Sequence, residues 1–123
     1  MSEMPAPVGA YYDALNAHDA AAAARLYRSD GTHEEANTGA ARAGHGALEK
    51  GLAGFFGFMP DVRWMPEKTI RAGDHVVVSY RMTGTARGRA IALDGVHLFD
   101  LDGSELLATR DFWDMAVLRA QLA

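Results

Sequence analysis

The stretch DHVVVSYRMTGTARGRAIALDGVHLFDLDGSELLATRDFWD, residues 74–114, decides the fold class. Apolar and polar residues alternate along most of it, the period of a half-buried strand. With DVRWMPEKTIRAG before it, residues 61–73, it divides into four strands. The divisions fall at AGDH, TARG and LDGS, each with a glycine to supply an unusual backbone angle. Links this short between consecutive strands predict an antiparallel, twisted meander.

Upstream of Pro60 the period is helical. Val8, Tyr11, Tyr12 and Leu15 fall at helical spacing between Ala6 and Asn16. Pro5 and Pro7 stand where a helix start tolerates them. Asp19 reads as the N-cap of a second helix over DAAAAARLYRS, residues 19–29, rich in strong helix formers. GTHEEANTG, residues 31–39, is a short polar strand. A third helix covers GHGALEKGLAGFFGFM, residues 44–59, with Leu48, Leu52, Phe55, Phe56 and Met59 on one face. Its glycines at 51, 54 and 57 recur within a helical pattern, so they suggest close packing on a sheet rather than a phosphate loop. MAVLRAQLA could form a last short helix, with Asp114 as its cap. Helices followed by a run of strands make an α+β pattern. Three helices on one face of a curved, mostly antiparallel sheet would enclose a cone whose wide end is a pocket.

The chain has 123 residues, which suits a single domain over residues 1–123. Apolar residues make up 49% and charged residues 23%, a soluble globular balance. The net charge of −4, with Lys and Arg scattered, argues against a nucleic-acid surface. There is no Cys, so thiolate metal sites and thiol nucleophiles are excluded. MSEMPAPVGA has no basic segment followed by an apolar run, and no apolar stretch approaches the ~20 residues of a membrane span. No membrane partner and a cytoplasmic location are therefore the default expectation.

The blocks YYDALNAHDAAAAARLY, FFGFMPDVRW, IRAGDHVVVSYRMTGT, GVHLFDLDGSELL and RDFWD occur in an order that resembles the SnoaL-like branch of the NTF2-like superfamily. The resemblance runs from about Tyr11 to Asp114. It implies a cone-shaped α+β barrel with an apolar pocket, and a homodimer. In SnoaL-type cyclases an Asp on the last strand acts as base in an aldol ring closure, helped by a His on the preceding strand. Asp111 and His97 match those positions. RDFWD also resembles the ending of limonene-epoxide hydrolase, again placing Asp111 in the site. Arg81 matches that enzyme's Arg, His33 and Glu35 fall near its Tyr and Asn, and its second Asp falls on Thr83, so its charge set is incomplete.

Strand parity gives mixed polar and apolar faces, as a lined pocket needs. Asp111 shares its parity with Leu107, Thr109 and Trp113, and His97 with Phe99. Arg81 shares its own with Val77 and Ser79, and His33 with Glu35. Parity leaves open which face points inward, and a bulge would shift the count. In a pocket, apolar walls would raise the pKa of Asp111 and a nearby cation would lower it. Asp111 is then the candidate base, His97 the acid or oxyanion donor, and Arg81 a source of fixed positive charge. Tyr12, Phe56, Trp64, Met82, Phe99 and Trp113 are candidate walls for a small apolar or aromatic carbonyl-bearing molecule.

No cofactor is required by this scheme. His33, Glu34, Glu35 and His45 fit no metal motif, so no metal site is expected. His18 and His75 fall at turns and should be solvated. Two alternatives stay open: epoxide hydrolysis on the same acid, and a non-catalytic module that binds apolar ligands.

Overall fold

The computed structural model describes residues 4–123; residues 1–3 of the N-terminal segment lie outside it. The elements run α1 (Ala6–Asn16), α2 (Ala20–Arg25), β1 (Tyr27–Glu35), β2 (Ala40–Ala43), α3 (His45–Phe58), β3 (Arg63–Ala72), β4 (His75–Ala86), β5 (Arg89–Asp102), β6 (Glu105–Trp113) and α4 (Met115–Leu122). One six-stranded sheet has the order β2-β1-β6-β5-β4-β3. β3 to β6 form the expected antiparallel meander. β1 joins it in parallel beside β6, and β2 closes the edge antiparallel to β1.

The turn chemistry matches the glycines. Gly73 and Gly103 have φ near +60°, and Arg87 and Gly88 are both left-handed in the two-residue loop between β4 and β5. Asp19 and Asp114 cap α2 and α4 by accepting from the backbone N–H of Ala22 and Ala116. α2 is shorter than its sequence suggests. It stops at Arg25 because Tyr27 is drawn into the core as the first residue of β1. β2 was not expected, since all four of its residues are exposed and carry no alternation.

The core lies between the helices and the inner face of the sheet. On β4 that face carries Val76, Val78, Tyr80 and Met82; on β5 it carries Ile91, Leu93, His97, Phe99 and Leu101. Arg81 therefore points outward, contrary to its place among the expected pocket residues. It is half-exposed and pairs with Asp94 at 3.1 Å. On β6 a register shift opposite Asp100 and Leu101 places Leu106 in the core in place of Leu107. Thr109, Asp111 and Trp113 keep the inward face without Leu107, which is the bulge effect on parity.

Of the three regular glycines in α3, only Gly51 is closely packed. A Cβ there would come within 2.6 Å of the Arg42 side chain, whereas Gly54 and Gly57 face open space. The outer sheet face holds half-buried Val77, Val96, Leu98 and Phe112, with the Arg110 guanidinium 5.0 Å from the Phe112 ring centroid. No described helix is long and apolar enough to cross a membrane.

Two side-chain amides close open strand backbone. Asn16, at the end of α1, donates to Trp64 O at 2.9 Å and accepts from Trp64 N at 2.8 Å on the edge strand β3. Gln121 of α4 does the same for Ala92, where β5 runs beyond the end of β6. Asn16→Ala leaves a partly buried N–H and C=O unpaired. It is expected to cost about 1–3 kcal/mol in urea unfolding, and more than Gln121→Ala.

Candidate active site

The inner face of β6 meets those of β1 and β5 at one point. Asp111 pairs in register with His97 on one side and with Glu35 on the other. His33 pairs with Thr109 one pleat away. The four side chains His33, Glu35, His97 and Asp111 thus converge on a cavity of about 520 Å³. Its walls include Tyr80, Trp64, Met82, Phe55, Phe58 and Trp113.

Asp111 lies on the floor, 9% exposed. One carboxylate oxygen accepts from the Tyr80 hydroxyl at 2.6 Å. The other lies 3.4 Å from His97 Nε2, a looser contact. Tyr80 also stacks on the His97 ring, with centroids 4.5 Å apart. On the far side His97 Nδ1 meets the Tyr12 hydroxyl at 2.7 Å. Burial alone would push the Asp111 carboxyl up. The His97 charge and the hydrogen bonds from His97 and Tyr80 outweigh it and hold the group below its usual 3.8. Burial, reinforced by the Asp111 charge, pushes the Tyr80 and Tyr12 hydroxyls well above their usual range. Both stay protonated, so Tyr80 is a fixed donor to an ionised acid.

Beside this group stands a second imidazole–carboxylate pair. His33 Nε2 lies 2.8 Å from Glu35 Oε1, and Trp113 Nε1 donates to Glu35 Oε2 at 3.3 Å. His33 Nδ1 meets the Thr109 hydroxyl at 2.6 Å, which meets Tyr27 at 2.8 Å, itself 3.3 Å from Tyr11. Burial pushes the Tyr27 hydroxyl up to about 12, although its bonds to Thr109 and Tyr11 pull the other way. No buried side-chain polar atom among the described residues is left without a partner.

One ligand atom from each of His33, Glu35 and Asp111 lies within 4.8 Å of the others, a grouping the sequence motifs did not suggest. A cation there would have to displace the hydrogen bond between His33 and Glu35. His45 is not part of this group; its Nε2 meets the backbone oxygen of Tyr27. His18 is not simply solvated either, since its Nε2 lies 2.7 Å from Val62 O. His75 is exposed, as expected, and pairs with Asp100 at 2.6 Å.

The structure brings Asp111, His97, His33, Glu35, Trp64, Met82 and Trp113 to the cavity. Three expected wall residues are not among its lining. Tyr12 is buried behind His97, which it supports. Phe99 is buried among the rings of Tyr11, Tyr12 and His97. Phe56 packs on His18 and on the edge of Trp64, on a different side of α3 from Phe55. With Arg81 facing outward, the arginine of the epoxide-hydrolase set is absent from Asp111's surroundings. Tyr80 was the main omission, yet its shared parity with Met82 offered the signal.

Residues 8–108 match the SnoaL-like domain family. The chain belongs to the SnoaL-like family. No curated protein matches it. Solved structures similar to this SnoaL-like chain share the NTF2-like, ketosteroid isomerase-like fold. A Catenulispora acidiphila protein of that fold, in complex with trimethylamine, is 25% identical with a TM-score of 0.90, over 96% of this chain and 92% of that one. TerC, crystallised with polyporic acid, is 21% identical with a TM-score of 0.85, over 94% and 95%. A Shewanella putrefaciens protein assigned to the SnoaL-like polyketide cyclases is 20% identical with a TM-score of 0.84, over 98% of each chain.

The sheltered charge on Asp111 has a pH signature. Its folded pKa lies below the unfolded 3.8, so its ionised form adds stability that is present above pH 3.8 and lost as pH falls through the lower folded value. The melting temperature is expected to fall more steeply below pH 3.8 in the wild type than in Asp111→Asn, measured by circular dichroism.

Proposed function

We propose that this SnoaL-like protein is an acid–base enzyme acting on a small apolar carbonyl compound, with an aldol-type ring closure as the most specific form of the reaction. The observation that carries this reading is the ionised Asp111 on the floor of an aromatic-walled cavity, gripped on one oxygen by Tyr80 and loosely met on the other by His97. The looser oxygen is the one free to accept a proton from a carbon flanked by carbonyls. The His97 Nε2–H beside it donates to the enolate oxygen as charge develops there. In a ring closure the enolate carbon bonds to a second carbonyl carbon within the molecule, and the new alkoxide takes the proton back.

A low pKa makes Asp111 a weak base in bulk terms. Placement against the reacting carbon and stabilisation of the enolate must supply the rate. Polyporic acid in TerC is a precedent for an aromatic, oxygen-rich ligand in this fold. The homodimer implied by the family would cover the apolar outer sheet face, and sedimentation would then return twice the 13.2 kDa chain mass.

The test follows the α-proton of ethyl 2-methyl-3-oxo-3-phenylpropanoate in D₂O by proton NMR. Exchange catalysed above the buffer rate supports the enzyme. Saturable binding that raises the melting temperature without exchange favours the non-catalytic module.

A further inference from the structure

The lining of the cavity carries charge of both signs. Asp111 is buried and Glu35 partly exposed, while the two permanent cations in the lining, Arg42 and Lys50, are exposed at its rim. Arg42 lies on β2 in register with His33, and so next to the acids of the site. The carboxylate within reach is already engaged: the Glu35 oxygens are held by His33 and Trp113. Arg42 itself makes no ion pair or side-chain hydrogen bond among the described residues, whereas Arg28, Arg81 and Arg110 all pair with acids. Nor is it loose. A Cβ on Gly51 of α3 would come within 2.6 Å of Arg42 Cδ and Nε and 3.0 Å of Cζ. The bare glycine backbone is the bed on which the side chain lies, the one close approach among the three regularly spaced glycines of α3.

A guanidinium packed against the rim of a cavity, with its donors unspent, matches a planar anion. We propose that Arg42, bedded on Gly51, is a specificity-determining residue that binds a carboxylate of the substrate at the mouth while the carbonyl end reaches Asp111. This inference rests on the reading of the cavity as the active site and adds the substrate class: an aromatic or alicyclic keto acid, rather than its neutral ester. Lys50 contributes charge without the fork, so it steers and does not orient.

The probes are 1-hydroxy-2-naphthoate and its methyl ester, titrated by calorimetry into the wild type, Arg42→Gln and Gly51→Ala. Alanine is the better helix former, so Gly51→Ala keeps α3 while pushing the guanidinium off its bed. The acid is expected to bind the wild type about tenfold or more tighter than the ester. Arg42→Gln should remove that preference and leave ester binding unchanged, and Gly51→Ala should reduce it. Circular dichroism confirms that each variant is folded. Equal affinity for both probes in the wild type, or an acid preference that survives Arg42→Gln, overturns the anion site while leaving the Asp111 chemistry standing. Failure of the wild type to bind either probe overturns the anion site and the ligand cavity together.

Discussion

Asp111→Asn is expected to slow α-proton exchange by about 10²- to 10⁴-fold, the range typical of a positioned proton-transfer group. Asparagine keeps the shape of the side chain, and its carbonyl oxygen can still accept from Tyr80. What it removes is the negative charge and the proton-accepting oxygen beside His97. Asp111→Ala is a different experiment. It takes the acceptor away from the Tyr80 hydroxyl and His97 Nε2 on the buried side of the cavity, so part of any lost rate would come from lost structure. The asparagine variant loses the stability that the charge contributes, so its fold is checked by circular dichroism under assay conditions; a folded variant whose exchange rate is close to that of buffer isolates the chemistry. An unchanged exchange rate would remove Asp111 from the mechanism.

Gly95→Ala should damage the site from a position that carries no functional group. Gly95 lies on β5 between Tyr80 of β4 and Trp113 of β6. The Tyr80 side chain crosses over it to reach Asp111. A Cβ at position 95 would stand 2.3 Å from the Tyr80 hydroxyl oxygen and 2.4 Å from Cζ. Tyr80 is 2% exposed and stacked on His97, so it cannot slide aside at small cost. Overpacking of this kind costs about 1–3 kcal/mol, and a displaced hydrogen bond to an ionised group about 1.5–3 kcal/mol more. Urea unfolding should therefore show Gly95→Ala at least about 2 kcal/mol less stable. The Asp111 carboxyl should titrate higher once Tyr80 is pushed away. Tyr80→Phe gives the comparison, losing the hydrogen bond without adding bulk. A Gly95→Ala variant as stable as the wild type, with an unshifted carboxyl, would mean that the crossing is not required.

The strands from Arg63 to Trp113 were legible because twofold alternation and glycine turns act locally, and the helices because their apolar spacing does. The pair Asp111–His97 was legible through the family resemblance, and the register of β5 with β6 sets the two opposite each other. Other features depend on pairings that no local pattern announces. The parallel contact of β1 with β6 puts Glu35 beside Asp111, and β2 brings in Arg42 with four exposed residues and no periodicity. Arg81 and Met82 are neighbours expected together in the pocket, yet adjacent strand residues face opposite ways. The parity of Val76, Val78, Tyr80 and Met82 resolves that conflict, with Tyr80 as the residue gained. Leu107 departs from the parity of Asp111 for a subtler reason, a one-residue bulge.

The most direct measurement is carbon-13 NMR of the Asp111 carboxyl carbon, assigned by its loss in Asp111→Asn and followed through an acid titration with and without ethyl 2-methyl-3-oxo-3-phenylpropanoate. A single carboxylate that stays ionised to below pH 3.8 in the free protein, and whose signal moves when the ketoester binds, is the predicted result. A carboxyl that is protonated at neutral pH, or whose signal ignores a bound ketoester, would contradict the assignment of Asp111 as the base.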